Sequence, residues 1–247
     1  MFDFFVRKNE HLCVFSHRSR ILLSCYDNRV RVGPELNSRF SKENTEFQSL
    51  LAEVAVELKL MDSPEEIISE RFLRRSVVPH IERFSALFNR LDKEQGALGR
   101  YWKESSNPAH ARLAYYLGFM PCNLFRVASV FDELARLGFK WTGKNELRAI
   151  EWGAGPAAGA TGAALSSLAL PKEGTWALIE QDKAMLDVGT LWSERVFETY
   201  GHPEWSVRGF HRRIEPEKTW LPRAAGKFNL WVSSYFLNEL EVKPDNL

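Results

Sequence analysis

The chain is poor in cysteine: Cys13, Cys25 and Cys122 are its three thiols in 247 residues, and none stands in CxxC spacing. That excludes a disulfide framework and a zinc knuckle, and no metal-ligand set is read in the chain. It also lacks any apolar run approaching the roughly 18 residues that a membrane span needs. Its start, "MFDFFVRKNEHLCVF", meets charge too early for the apolar region of a secretory signal. A soluble protein in a reducing, cytoplasmic setting is the expectation. An excess of one charge sign is missing as well: the formal net charge is +1 with 26% charged residues, which excludes an overall polybasic protein but leaves room for local patches. No internal repeat or low-complexity tract occurs. What the chain does have is 45% hydrophobic content, ample for a buried core.

Two kinds of hydrophobic pattern divide it. From Asn44 to about Arg100, in "FQSLLAEVAVELKLM" and "VVPHIERFSALFNRLDKE", apolar residues recur at three and four positions, as on amphipathic helices. Ser63 followed by Pro64, Glu65 and Glu66 reads as a helix start. "NPAHARLAYYLGFMPCNLFRVASVFDELARLGFKW" predicts a helix, a break at Gly118 to Pro121, and a second helix ending near Gly138. The first forty residues are open between strand and helix. After Gly138 the period changes: "LRAIEW", "TWALIEQD", "EWSVRGF" and "FNLWVSSYF" are short apolar runs ending in polar or glycine-rich turns. The order β-α-β-α-β-β predicts a parallel sheet with helices on its faces, hence an α/β class. The division expected is a mainly helical region over 1–140 and a sheet domain over 141–247.

The densest signal is "AIEWGAGPAAGATGAAL", Ala149 to Leu165. A strand ending at Trp152, glycines at 153 and 155, then a helix, would bring backbone N–H groups and a helix N-terminus together. The third position of the GxGxxG-like string is Ala158, with Gly159 one step later, so the string alone is weak. Close packing of helix on sheet explains the same small residues. Two carboxylates change the balance. Glu180 ends the second run and, if the first two strands are adjacent, lies beside the loop, where it can accept hydrogen bonds from two ribose hydroxyls. Glu151, ahead of the glycines, would repel a pyrophosphate but balance a sulfonium and ammonium cation, directly or through water. This favours S-adenosyl-L-methionine over NAD, and no Gly-Lys-Ser/Thr follows that would mark a P-loop.

With these residues the sequence resembles a class I S-adenosylmethionine-dependent methyltransferase, "EWGAGPAAG" standing for the acid-x-Gly-x-Gly loop and Glu180 for the second-strand acid. More narrowly, "AYYLGFMPCNLFRVASVFDEL", "IEWGAGPAAGATGAAL" and "FNLWVSSYFLNEL", covering roughly Leu113 to Leu240, are similar to the bacterial and mitochondrial small-ribosomal-subunit methyltransferase-like family. The resemblance implies a Rossmann-like sheet. A full class I sheet has seven strands, so a chain ending after the fourth is expected to be a fragment with an unprotected edge. Two positions depart from the pattern: Asn229 stands where the family has Asp, and "WSVRGFHRR" ends without an acid.

The resemblance further implies that Gly153, Ala154 and Gly155, with Pro156, pass beneath the methionine moiety. Glu180 would hold the ribose, and Gln181 or Asp182 would flank the adenine. Ser233, at the end of the fourth strand, would face the cofactor, and Ser234, Tyr235 and Asn238 would shape a target pocket beyond the strand ends. Tyr115, Tyr116 and Arg126 are candidates to cover the cofactor or touch RNA, with helix packing as the competing reading. No general base is assigned, since a reactive sulfonium leaves catalysis largely to positioning. The function implied is methyl transfer to ribosomal RNA or a small-subunit component. A non-catalytic cofactor-binding assembly factor and a small-molecule or protein methyltransferase are the alternatives.

Overall fold

The computed structural model describes residues 12–16, 20–24, 34–88, 101, 105–141, 146–213 and 228–233. They fall into two compact units, one of residues 1–91 with 105–122, the other of residues 92–104 with 123–247. The division expected near residue 140 thus lies inside the second unit.

In the first unit, the stretch left open between strand and helix contains a hairpin, β1 (Leu12–Ser16) paired antiparallel with β2 (Arg20–Ser24). Helix α1 (Pro34–Glu57) follows and buries Phe47, Leu51, Val54 and Ala55, residues spaced by three or four as the sequence pattern requires. The helix start expected at Ser63 is one short 3-10 segment, Pro64–Ile68. It stops at Ser69, whose hydroxyl accepts from the Phe72 amide and caps α2 (Glu70–Phe72). A π-helical turn, Leu73–Val77, leads into α3 (Val78–Phe88). Helix α4 (Pro108–Gly118) starts with Pro108 in its first turn, and Asn107 accepts from the His110 amide. A Cβ on Gly118 would meet Ile81 Cδ1 at 2.8 Å, so α3 and α4 touch where the break was expected.

The break is one residue, Phe119: helix α5 (Met120–Arg136) begins inside the expected Gly118–Pro121 stretch and ends as its glycine foretells. Gly138 takes a φ of 78°, its amide donates to the Ala135 carbonyl, and the Phe139 amide reaches back to Leu134. This is the left-handed C-cap that glycine permits.

The second unit carries a four-stranded, all-parallel sheet in the order β5-β4-β3-β6: β3 (Glu146–Trp152), β4 (Glu173–Glu180), β5 (Trp205–His211) and β6 (Leu230–Val232). Helices α6 (Ala158–Leu165) and α7 (Lys183–Thr199) connect the first three strands. This is an α/β architecture compatible with a Rossmann-like fold, with β3, the strand that leads into the glycine loop, placed inside the sheet.

Register puts Val232, Glu151, Leu178 and Gly209 in one row on one face. A Cβ on Gly159 of α6 would strike Val232 and Glu151, and one on Gly209 would meet Thr190 and Leu186 of α7. Both helices therefore cover that face. The opposite face buries Ile150, Ala177 and Ile179 under Trp152, Phe210 and Phe228. A Cβ on Gly162 would lie 2.8 Å from the Leu124 carbonyl, so α5 packs directly on α6 and shares its unit with the sheet from Asn123 onward.

Asn229 holds the edge strand in place. Its Oδ1 accepts from the Arg148 amide at 2.8 Å and its Nδ2 donates to the Glu146 carbonyl at 3.0 Å. An Asp in its place could make only the first bond and would oppose a carbonyl oxygen at the second. Asn229→Asp is expected to lower stability by about 1 kcal/mol, read as a lower urea midpoint with an unchanged slope.

Candidate functional site

The strand–loop–helix reading of "IEWGAGPAAGA" places the site at the carboxyl end of β3. Gly153 and Gly155 have φ of 61° and 49°, and Ala157 continues the alternation with φ 58° and ψ 47°. These left-handed residues turn the chain sharply, and its amides part: Ala154 donates to the Ile179 carbonyl, Gly155 to the Glu180 carboxylate and Ala157 to the Ala154 carbonyl. Glycine takes that conformation without penalty, whereas Ala157 accepts a cost of roughly 1 kcal/mol. Ala157 is tied down at both backbone groups. Its amide donates to the Ala154 carbonyl at 2.7 Å, and its carbonyl accepts from the amide and hydroxyl of Thr161.

Two carboxylates take up amides of the loop and of the first turn of α6. Glu180, at the end of β4, accepts from the Gly155 amide through Oε2 at 2.9 Å and from the Asp182 amide through Oε1 at 2.8 Å. Adjacency of β3 and β4 sets this contact, as the sequence reading required. Glu151 is fully buried and turns back to the start of α6, its two oxygens accepting from the amides of Gly159 and Ala160, each at 2.8 Å. It was expected to balance a ligand cation. Its direct partners here are amides, because the helix N-terminus above it presents otherwise unpaired donors.

Both acids are held high. Burial raises Glu151 to about 7 against the two amide bonds, which favour its charged form, and Glu180's charge raises it further. Burial likewise raises Glu180, opposed chiefly by its hydrogen bonds from the Asp182 and Gly155 amides.

The other expected residues distribute as follows. Ala154 and Pro156 are buried in the loop, and the Ala154 amide donates to Ile179 of β4. Asp182 caps α7, accepting from the Met185 amide at 2.9 Å. Gln181 is exposed, and its carbonyl accepts from His211 Nε2 at 3.0 Å, which brings the end of β5 to this edge. Ser233 is exposed directly after β6. Ser234, Tyr235 and Asn238 lie outside the described residues. Arg126 on α5 donates to Asn123 at 3.3 Å. Tyr115 and Tyr116 belong to the first unit and pack there: Tyr115 meets Phe84 edge-on and stacks on Phe119, and Tyr116 is fully buried. Tyr116 thus stands in the core of the first unit, as α4's amphipathic spacing would have it.

Three contributors were not read from the sequence. Gly159 passes over Glu151 so closely that a Cβ would sit 2.7 Å from its Cδ. Gly189 of α7 faces the loop, where a Cβ would lie 2.5 Å from the Gly155 carbonyl oxygen. His211 reaches Gln181 from the neighbouring strand. A glycine inside a helical pattern was the available signal for the first two.

Among the described residues, no group of three or more metal-ligating side chains occurs, and no helix is long and apolar enough to cross a membrane. The sequence matches no protein-family model, and the comparison with curated proteins finds no match either.

Proposed function

We propose that the chain binds S-adenosyl-L-methionine at the β3–α6 loop and belongs to a methyltransferase of the class I kind. The observation that carries this reading is the Glu180 carboxylate on the Gly155 amide. The Gly155 amide is taken by Glu180 and the first α6 amides by the buried Glu151, so a pyrophosphate would meet one carboxylate where it needs amides and have a second behind it. A ligand bearing hydroxyls and positive charge meets the opposite situation. Each oxygen of a carboxylate can accept two hydrogen bonds, so Glu180 can keep its two amides and still accept from two ribose hydroxyls. Gly153, Ala154 and Gly155 would pass beneath the methionine part, and Gln181 and Asp182 would lie toward the base. The cofactor supplies an activated methyl group, and the chain's task is to bind and orient it.

Calorimetric titration with S-adenosyl-L-methionine and with NAD tests the cofactor; binding of NAD alone overturns it. Glu180→Ala is expected to weaken S-adenosyl-L-methionine binding by about 1–3 kcal/mol, and an unchanged affinity would remove Glu180 from the ribose role. The sequence resemblance supports ribosomal RNA or another small-subunit component as the acceptor. Single-turnover methyl transfer to small-subunit ribosomal RNA tests that step. Cofactor binding without transfer would point to an assembly factor that keeps the site for its shape.

A further inference from the structure

Two carboxylates lie against one loop with backbone amides as their partners. Glu151 faces the Gly159 and Ala160 amides of α6, Val232 of β6, and Leu178, its register partner on β4. Glu180 faces the Gly155 amide, Asp182 at the start of α7, and His211, its register partner on β5. His211 Nε2 is committed to the Gln181 carbonyl. Glu180's charge raises Glu151, and Asp182's raises Glu180; both of these influences are acidic.

Resting on the cofactor reading above, we propose that Glu151 and Glu180 together read the charge of the ligand: a cationic ligand at the loop binds with release of a proton from the pair, and its neutral counterpart binds without that release. The geometry supplies both halves of the coupling. Glu151 has no exposed surface and no cationic partner at either oxygen, and Glu180's charge acts on it, so an empty site favours holding a proton. A positive charge placed over the loop favours the doubly ionised pair and expels it. A neutral thioether in the same place excludes water without adding that charge, so the proton stays. Burial of Glu151 brings the exchange to near-neutral pH.

S-adenosyl-L-methionine and S-adenosyl-L-homocysteine share their adenosine, amino and carboxylate groups and differ in the charge at sulfur, which makes them a matched pair of probes. Titrating the full chain with each at pH 6, 7 and 8 should show the affinity ratio in favour of the sulfonium rising about tenfold from pH 6 to pH 8. Repeating the pH 7 titrations in phosphate and in Tris, which differ in ionisation heat, should show proton release with the sulfonium and none with the thioether. Glu151→Gln should flatten the ratio; the wild-type comparison decides the matter even if that variant fails to fold. Affinities that move in parallel with pH, with equal proton counts, would overturn the charge reader and leave the cofactor reading standing. Failure of either ligand to bind at any pH would overturn both.

Discussion

Gly189→Ala is expected to disable the loop from a distance of 34 residues in sequence, with cofactor affinity falling at least tenfold and stability by about 1–3 kcal/mol. The added methyl would sit 2.5 Å from the Gly155 carbonyl oxygen, 3.2 Å from the Ala157 amide nitrogen and 3.3 Å from the Ala157 Cβ. These are backbone and Cβ atoms, so no rotamer change relieves the clash. Either α7 lifts from the sheet or the loop moves. The loop has little freedom to do so, because Gly155 is bonded to Glu180, the Ala154 amide to Ile179, and the Ala157 amide to Ala154. Moving it breaks the contact that carries the functional reading. Gly201→Ala is the control: its φ of 89° makes alanine strained there, yet nothing lies within 4 Å of the added Cβ. That variant should lose about 1 kcal/mol of stability and keep its affinity. Calorimetric titration and urea unfolding of both variants separate backbone strain from loop displacement. Wild-type affinity in Gly189→Ala would show that the loop is not where the cofactor sits.

The contrast between Gly155 and Gly189 marks how far the sequence could be read. Gly155 announces itself: it follows an apolar strand, precedes a small-residue helix and has an acid 25 positions later, so local pattern and strand adjacency predict that Glu180 lies beside the loop, though not that it accepts from the Gly155 amide. Gly189 sits within "KAMLDVGTLWSERVFET", where nothing local distinguishes a tolerated helical glycine from one pressed against another segment. Its role is a property of how α7 crosses the loop. Glu151 was legible as an acid beside the glycines, but its partners were not, because the displacement of the third small position from 158 to 159 acquires meaning only once α6 lies across the strand. Of the uses weighed for the small residues, close packing accounts for some positions and backbone conformation for others. Gly159 and Gly162 are small because Glu151 and the Leu124 carbonyl are near, whereas Gly153 and Gly155 are glycine because of their positive φ. The hairpin β1–β2 was opaque for a different reason. Five-residue runs such as "LCVFS" and "RILLS" are too short for periodicity to separate strand from helix.

Raising the pH from 5 to 8 should destabilise the folded chain, and Glu151 should account for most of the effect. Its folded pKa is raised from the ordinary 4.5 to about 7, so folding favours the protonated acid. That contribution is fully present below the unfolded value and is lost as pH climbs through the folded one. The rise from 4.5 to about 7 corresponds to about 3 kcal/mol, nearly all of it gone by pH 8. Glu180, also raised by burial, acts in the same direction. Urea unfolding at half-unit intervals would show a midpoint falling across this window, opposite to the rise expected of a carboxylate stabilised by an ion pair. Glu151→Gln should flatten the profile. A neutral amide can accept from the Gly159 or Ala160 N–H with its oxygen but presents its own N–H₂ to the other, so at pH 5 the variant should be about 1–2 kcal/mol less stable than the wild type. At pH 8 the gap should shrink or reverse, because the wild type then carries a buried charge that the variant does not. A wild-type profile that stays level or rises from pH 5 to 8 would mean that the two α6 amides outweigh burial and hold Glu151 ionised throughout. The helix N-terminus would then be the stronger influence on this acid.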